Sequence, residues 1–282
     1  MRTWVYLIVF SALFGAPLPG MVYAAHNCPA STEGFLAFGD AGMGNSGQKE
    51  VAEAMSTFCQ NHDCQWVALL GDNIYPNGVD SVDDPQWKTK FERPYENLEI
   101  PFYPCLGNHD YFGDVDAQFE YASKNSRWKF PGRYYRYSTC LADFFVIDAE
   151  KWDEEQEGWL REQLVLSMAP WKIVYGHRPI FSHGGHGDTK ALKNKLLPIL
   201  EGKVDFYLSG HDHHLEYISK GVRPDFIISG AAAENRTAGK GKSTLFTGNT
   251  IGFVHIQLKP ESAFVTYMGT EGESLFTHEK KN

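Results

Sequence analysis

Eight side chains that can bind metal ions stand just after five short apolar runs in this sequence. They are Asp40, Asp72, Tyr75, Asn108, His109, His177, His211 and His213. A glycine or another small residue stands beside each group, so the backbone can turn sharply there and neighbouring strands can direct their side chains to one place. Carboxylate, imidazole and amide donors without thiolate suit iron, manganese or zinc. Because these donors are too many for one ion, the sequence predicts a site for two ions.

Each of these residues also has a simpler explanation when it is taken alone. An aspartate at the end of a strand commonly caps a turn, and a single histidine beside a glycine is commonly a surface residue. Tyr75, three residues after Asp72, is on its own more typical of an aromatic packing residue. Their joint occurrence at successive strand ends favours the metal site.

The apolar runs that precede these residues predict the strands of an α/β fold. They read FLAFGD, WVALLGD, PFYPCLGNHD, FFVID, WKIVYGH, VDFYLSGHDH and DFIISGA. Apolar residues at helical spacing lie between several of them, and the segments IGFVHIQL and SAFVTYMG predict an antiparallel hairpin. We therefore expect two packed mixed β-sheets flanked by helices, with polar loops gathered at the carboxyl ends of the strands.

Five short motifs carry a resemblance to a known family. They are D-x-G at Asp40, G-D-x-x-Y at Gly71, G-N-H-D at Gly107, G-H at Gly176 and G-H-x-H at Gly210. In this order and spacing, the sequence resembles the calcineurin-like metallophosphoesterases, and more closely the purple acid phosphatases of the small, mammalian tartrate-resistant type. The resemblance covers nearly the whole chain after the N-terminal segment, and it implies a metallophosphoesterase-like β-sandwich.

Two positions set this chain apart from most of that superfamily. Most relatives carry D-x-H at the first motif and lack the tyrosine of the second, whereas this chain has Gly42 and Tyr75. The exchange of a histidine for a tyrosine is the pattern of the purple branch, in which a phenolate binds ferric iron. The resemblance therefore implies Fe(III) together with a divalent ion, which is iron, zinc or manganese.

The resemblance also implies which residue binds which ion. It assigns Asp40, Tyr75 and His213 to the ferric ion, Asn108, His177 and His211 to the divalent ion, and Asp72 to both. The assignment is chemically consistent, because a carboxylate has two oxygen atoms and can bridge two ions. An amide oxygen adds no charge at the ion that must stay labile.

Further residues near these motifs are candidates for handling the substrate. His109, which is not assigned as a ligand, is expected to hold the phosphate or to protonate the leaving alkoxide. Asp110 either orients His109 or has a capping or turn role. In the loop GHRPIFSHGGHGDTK, His183 and His186 are more typical of solvated histidines, although one of them could approach the substrate. The small relatives carry a histidine where Lys190 falls in this chain.

These expectations together indicate a secreted acid phosphatase that hydrolyses phosphate monoesters at an Fe(III)–M(II) centre. Two ions can hold a phosphate ester and offset charge on the attacking and leaving oxygens. The motifs do not determine the leaving group, so a phosphodiesterase or a pyrophosphatase on the same site is an alternative. A third alternative, a non-catalytic metal- or phosphate-binding protein, is disfavoured by the complete ligand set and by His109.

The first 24 residues have the features of a secretory signal peptide. Arg2 precedes a short apolar run, and Ala24 ends a small-residue pattern typical of a cleavage site. We expect residues 1–24 to be removed, residues 25–282 to form a single domain, and the product to be secreted or periplasmic without membrane attachment. A net charge of −9 without a basic stripe disfavours nucleic acid as a partner. The sequence indicates no oligomeric state.

The cysteines are odd in number, which leaves at least one without a partner in its own chain. They are Cys28, Cys59, Cys64, Cys105 and Cys140. Cys59 and Cys64 are close enough in sequence for a local disulfide. Cys105 stands in an apolar run and is expected to be a buried free thiol.

Overall fold

A computed structural model of the protein describes Met21–Val22 and residues 31–282. Over these residues the strands form two mixed sheets, one of eight strands and one of six, with helices around them. This arrangement confirms the expected fold class. Apart from Met21–Val22, the expected signal peptide lies outside the described residues, and so does the expected new N-terminus at Ala25.

The eight-stranded sheet is parallel in its middle. In spatial order its strands are β1 (Met21–Val22), β5 (Tyr135–Ser138), β6 (Ala142–Val146), β7 (Trp171–Tyr175), β8 (Phe206–Ser209), β10 (Asp225–Ser229), β9 (Leu215–Ile218) and β11 (Thr244–Gly248). Strands β6, β7, β8 and β10 run parallel to one another. Strand β5 pairs antiparallel with β6, and β9 pairs antiparallel with both β10 and β11.

The six-stranded sheet has a parallel half and an antiparallel half. In spatial order its strands are β14 (Ser274–Lys281), β13 (Ser262–Met268), β12 (Phe253–Leu258), β2 (Glu33–Phe38), β3 (Trp66–Leu69) and β4 (Phe102–Pro104). Strands β2, β3 and β4 are parallel. Strands β12 and β13 pair antiparallel, as predicted from the two C-terminal apolar segments.

The α-helices connect these strands on the outer faces of the sheets. They are α1 (Ser46–Cys59), α2 (Val115–Glu120), α3 (Glu154–Leu166), α4 (Lys190–Lys195) and α5 (Leu197–Leu200). Asn45 and Asp153 cap the first turns of α1 and α3, since each side chain accepts a hydrogen bond from a backbone N–H of the helix. Within the described part of the chain, no helix combines the length and the apolar character that a membrane span requires.

Large aromatic side chains fill the space between the two sheets. The ring of Phe144 on β6 lies edge-on to the ring of Phe35 on β2 at 5.2 Å, and to that of Trp66 on β3 at 5.5 Å. Edge-to-face pairs of this kind contribute about 0.5–1.5 kcal/mol each beyond the burial of their area. The neighbouring Phe145 points the other way and joins the apolar cluster beneath α3 and α4. This alternation is expected of a strand buried on both faces.

A buried carboxylate links the sheets at the amino end of β2. Glu33 Oε1 accepts a hydrogen bond from Cys140 N at 2.7 Å, and Oε2 accepts from Thr139 Oγ1 at 2.6 Å and Leu141 N at 3.1 Å. These three donors belong to the turn between β5 and β6 in the other sheet. The contacts hold the two layers together at the edge away from the predicted ligands.

At the opposite edge, the carboxyl ends of the two sheets meet directly. Gly39 N, just after β2, donates to the carbonyl oxygen of Ser229 at the end of β10 at 2.8 Å, and Ser229 Oγ donates to Ala37 O at 2.8 Å. Because parallel strands end at a common edge, the loops after β2, β3, β4, β7 and β8 gather there. These are the loops that carry the predicted metal ligands.

The expectations for the cysteines are confirmed where they were specific. Cys59 and Cys64 form a disulfide, and Cys105 is buried as a free thiol. Cys140 is disulfide-bonded as well.

Candidate metal centre

The backbone at three of the predicted ligands lies in the left-handed region. Asp40, Asp72 and His211 have φ angles of 58°, 50° and 68°, and no other non-glycine residue in the described ranges has a positive φ. Strained conformations of this kind cost about 1–3 kcal/mol each and persist only where their surroundings impose them. Their coincidence with predicted ligands indicates a site whose geometry is maintained at the expense of local stability.

The two aspartates stabilise these turns with one carboxylate oxygen each. Asp40 Oδ2 accepts a hydrogen bond from His211 N, and Asp72 Oδ1 accepts one from His109 N, both at 2.8 Å. The second oxygens lie close to the Tyr75 hydroxyl, with Asp40 Oδ1 at 3.0 Å and Asp72 Oδ2 at 2.8 Å. Each carboxylate therefore holds a neighbouring loop and still offers one oxygen to the centre.

Atoms of three other predicted ligands lie close to Tyr75 Oη. His213 Nε2 lies 3.2 Å from it, beside the two carboxylate oxygens. A hydroxyl has one hydrogen, so it cannot donate to Asp40 and Asp72 at the same time. Burial and the charges of Asp40 and Asp72 raise the pKa of Tyr75 far above its ordinary value. The phenol therefore keeps its proton unless a cation offsets those charges.

Asp72 Oδ2 also faces a second group of donors. His177 Nε2 is 3.4 Å from this oxygen, and His211 Nδ1 is 3.2 Å from His177 Nε2. Ligand atoms of Asp40, Asp72 and His177 all lie within 4.8 Å of one another, and all three residues are buried. Asp72 thus stands between the Tyr75 side and the His177 side of the cluster.

The pKa values of His177 and His211 are shifted in opposite directions by their surroundings. Burial opposes a charge on His177, but Asp72 and Asp40 outweigh it and raise the pKa of His177 to about 10. Burial, His177 and Arg178 lower the pKa of His211 to about 2. Burial likewise opposes ionisation of Asp72, yet His177 and the hydrogen bonds to Asp72 hold its pKa below the usual range. The cluster therefore combines ionised oxygen donors with a neutral imidazole, and a metal cation can replace the proton on His177.

Asn108 supplies an independent test of whether the residues fit metal ions. Its Oδ1 is buried, and no hydrogen-bond partner for it occurs in the part of the chain that the structure describes. A buried polar atom without a partner costs about 1–3 kcal/mol. The Asn108 loop lies against Asp72, since a Cβ placed on Gly107 would come within 2.2 Å of Asp72 Oδ1. An ion beside Asp72 would satisfy this orphan oxygen, so the donor set fits metal ions.

His109 and Asp110 follow Asn108 but point to different surroundings. His109 is half-buried, with its ring 4.4 Å from that of Tyr75 and its Nδ1 2.5 Å from Pro76 O. The fully buried Asp110 accepts hydrogen bonds instead from the backbone N–H groups of Asn73 and Gly107, among others. Burial and the charge of Asp72 raise the pKa of Asp110 to about 7. These contacts match the turn role for Asp110, joining the loops after β3 and β4.

The two histidines of the loop after β7 have separate environments. His183 is half-buried, and its Nδ1 lies 2.7 Å from Oε1 of the buried Glu216. His186 is exposed, and its ring centroid is 4.3 Å from that of His211. Asp212 Oδ1 accepts a hydrogen bond from His186 N at 2.9 Å. Of these two histidines, only His186 lies at the solvent-exposed side of the predicted ligands.

Arg178 is a residue at this site that the sequence did not single out. Its Nη1 is 3.0 Å from His211 Nε2, and its Nε is 2.9 Å from Glu150 Oε2. The available signal was its position directly after His177 in the G-H motif. Lys190, by contrast, is the exposed first residue of α4.

A close backbone approach determines where Tyr75 lies. A Cβ built on Gly42 would stand 1.9 Å from the carbonyl oxygen of Asn73, and Tyr75 N donates to Gly42 O at 2.9 Å. The loop after β3 can therefore pack on the loop after β2 only where residue 42 has no side chain. The glycine and the tyrosine that distinguish this chain are physically coupled.

Comparison with known proteins agrees with this geometry. The family model for calcineurin-like phosphoesterase matches residues 34–215, which contain all seven predicted ligands. Purple acid phosphatase 4 of Arabidopsis thaliana is 34% identical, covering 88% of this chain and 83% of the relative. Tartrate-resistant acid phosphatase type 5 of Sus scrofa is 29% identical, covering 98% and 95%. A solved structure described as GAP50, the anchor in the inner membrane complex of Plasmodium, has a TM-score of 0.83 at 27% identity and covers 89% of each chain.

The chain therefore belongs to the calcineurin-like phosphoesterase family. Within that family its relatives are purple and tartrate-resistant acid phosphatases, and the protein is a hydrolase of this acid phosphatase type. The resemblance inferred from the five motifs is confirmed.

The coupling of Gly42 to Tyr75 generates a first prediction. Gly42→Ala should force the Asn73 carbonyl away, draw Tyr75 Oη out of the cluster, and lower the free energy of unfolding by about 1–3 kcal/mol, as overpacking does. Metal content and chemical denaturation measure both effects. The matched control is Gly158→Ala at an exposed position of α3, where the added Cβ would meet no described heavy atom within 4 Å beyond its chain neighbours and the backbone of its own helix. That control should retain metal and raise the free energy of unfolding by about 0.5–1 kcal/mol, because Ala is favoured over Gly inside a helix. Equal behaviour of the two variants would show that Gly42 does not position Tyr75.

Proposed function

We propose that this protein hydrolyses phosphate monoesters at a dinuclear centre of Fe(III) and a divalent ion, with the phenolate of Tyr75 as a ligand of the ferric ion. The observation that carries the proposal is the position of Asp72. Its Oδ2 lies 2.8 Å from Tyr75 Oη and 3.4 Å from His177 Nε2. One carboxylate thus stands beside donors of both expected metal positions, as a bridging ligand must.

The donors divide naturally between two ions. Asp40, Tyr75 and His213 would hold the ferric ion, Asn108, His177 and His211 the divalent ion, and Asp72 both. When bound, such ions act as Lewis acids toward phosphate oxygens and activate the attacking water. The hard oxygen and imidazole donors suit iron, zinc or manganese as the divalent ion.

His109 is the residue best placed to handle the leaving group. Its Nδ1 lies 2.5 Å from the carbonyl oxygen of Pro76, so Nδ1 carries a hydrogen and Nε2 is the nitrogen available to the substrate. The ring also packs beside Tyr75, which keeps it near the centre. In its protonated form His109 donates from Nε2 to the departing oxygen. His186, beside His211, is the second group that can reach a bound phosphate.

Two alternatives use the same residues. A phosphodiesterase or pyrophosphatase would share the metal centre and differ in leaving group, so parallel assays on p-nitrophenyl phosphate, its bis ester and ATP separate them from a monoesterase. The likeness to GAP50, which is described as an anchor, gives the non-catalytic alternative a specific basis. A full metal complement without turnover on any of the three substrates would favour that alternative.

We also propose that residues 1–24, which include the two-residue edge strand β1, are a signal peptide and that residues 25–282 act as a single secreted or periplasmic domain. The basis is the short apolar run and the small-residue pattern that ends at Ala24. N-terminal sequencing of the protein exported by its native host is expected to begin at or near Ala25. Exported protein that retained Met1 would contradict the proposal.

The ferric centre is tested by the colour of the protein. A phenolate bound to Fe(III) gives a visible charge-transfer band, so the purified protein should contain iron and be pink or purple. Tyr75→Phe keeps the ring and removes only the oxygen, so the band should disappear while secondary structure is retained. The matched control is Tyr134→Phe, which removes an exposed hydroxyl bonded to Glu155. Iron-loaded protein without a band, or a Tyr75→Phe variant that kept it, would rule out Tyr75 as the ligand.

The role of His109 is tested by its dependence on the leaving group. His109→Ala should keep both metals and lower turnover of an alkyl phosphate by about 10²–10⁴-fold, the usual contribution of a positioned acid. The loss should be smaller for p-nitrophenyl phosphate, whose leaving group needs less protonation. His62→Ala, at an exposed site after α1, serves as the control. Loss of metal, or equal losses on both substrates, would show that His109 is not the acid.

A further inference from the structure

Arg178 presents a guanidinium group to the outer side of the metal centre. Its Nη1 lies 3.0 Å from His211 Nε2, and about a third of its side chain is exposed, at 32%. The residue follows β7, directly after the predicted ligand His177. A permanently charged group therefore stands next to the predicted ligands and within reach of solvent.

The guanidinium is held in place from its other edge. Glu150 receives it through Oε1 at 2.8 Å and Oε2 at 2.9 Å, and only 9% of the Glu150 side chain is exposed. The Tyr207 hydroxyl donates to Arg178 O at 2.8 Å, which holds the backbone of the same residue. Because these contacts order the side chain in advance, little rotamer freedom remains to be lost when a ligand binds.

His211 Nε2 is a poor hydrogen-bond partner for this guanidinium. His211 Nδ1 faces His177 Nε2 at 3.2 Å, so Nδ1 is the nitrogen turned toward the predicted centre. A neutral imidazole carries one hydrogen, and when Nδ1 acts as a ligand that hydrogen is on Nε2. Nε2–H would then face an N–H of Arg178, and two donors cannot bond to each other. The free edge of Arg178 then needs an oxygen acceptor.

The groups around Arg178 favour phosphate as this oxygen acceptor. The planar guanidinium offers paired N–H groups that match phosphate oxygens, and hydrogen bonds between charged partners are about twice as strong as neutral ones. The ring of His186 also packs against the ring of His211. The space beside His211 is therefore bordered by Arg178 and His186, both of which can donate a hydrogen bond to an anion. The Glu150 carboxylate is paired with Arg178 Nε, so the Nη1 side of the guanidinium is the part turned toward His211 and the centre.

We propose that Arg178 binds a phosphoryl oxygen of the substrate and that Glu150 positions it. The assignment rests on the proposed function, because it places the substrate phosphate at the same metal centre. Arg178 acts on the binding of the phosphate group rather than on the leaving group, so its contribution should be independent of the alcohol that departs. This separates it from His109.

The test compares Arg178→Gln, Arg178→Lys and Glu150→Gln with the wild-type protein, all loaded with metal. One hydrogen bond between charged groups contributes about 1.5–3 kcal/mol, so Arg178→Gln should raise both KM and the inhibition constant of orthophosphate by about 10- to 100-fold. Arg178→Lys keeps the charge and loses the fork, and should fall in between. Glu150→Gln should shift both constants in the same direction by a smaller factor. Metal content should stay unchanged, and p-nitrophenyl and alkyl phosphates should be affected equally.

The control is Arg161→Gln on α3, an exposed arginine paired with Glu157, which should leave every constant unchanged. Equilibrium binding of orthophosphate to the metal-loaded protein is measured as well, because it does not depend on turnover. Wild-type protein that binds orthophosphate without hydrolysing esters would contradict the proposed function and still test Arg178. Orthophosphate affinity that is unchanged in both Arg178 variants would overturn the inference. So would a loss of metal in Arg178→Lys that accounts for its whole effect, since Arg178 would then only support His211.

Discussion

The packing of two loop backbones against each other determines the geometry of the whole centre. The loop after β3 lies on the loop after β2 at Gly42, where a Cβ would come within 1.9 Å of the Asn73 carbonyl. This contact brings Tyr75 Oη to within 3.0 Å of Asp40 Oδ1, although the two residues belong to different strand ends. A side chain at residue 42 would therefore clash with the backbone of the loop that carries Tyr75.

Hydrogen bonds accepted by buried carboxylates join the same loops. Asp40 accepts from the backbone of His211, and Asp72 accepts from that of His109, so each carboxylate ties its own loop to another. The buried Asp110 adds a further tie between the loops after β3 and β4. This network imposes the positive φ angles of Asp40, Asp72 and His211, which these residues would not adopt alone. Ligand position and backbone strain are thus two consequences of one set of hydrogen bonds.

Much of the position of these residues could be predicted from the sequence, because the pattern that indicates each of them is short and local. Each predicted ligand follows an apolar run and a glycine, and parallel strands end at a common edge, so the convergence of five strand ends could be predicted. The contact of Asp110 with Asn73, the contact of His183 with Glu216, and the contact between Arg178 and His211 could not. Each joins residues 33 to 37 positions apart in the sequence, and no spacing along the chain encodes which side chains meet there. The steric reason for Gly42 was equally hidden, although the residue itself was recognised as unusual.

Charge links metal binding to substrate binding at this site. The chain has a net charge of −9, but charges farther away than about 8 Å are largely screened at physiological ionic strength, so the local groups decide whether an anion binds. Without cations, the buried carboxylates of Asp40 and Asp72 present negative charge where a phosphate ester must bind. A trivalent and a divalent ion, if bound there as proposed, would reverse that sign. Arg178 would then be the cation that the chain itself contributes beside them, and Glu150 contacts its Nε, so the Nη1 side is left facing His211. Phosphate affinity should therefore depend first on bound cations and second on this arginine, because His211 with its hydrogen on Nε2 could not accept from Arg178 Nη1, which would then need an oxygen acceptor.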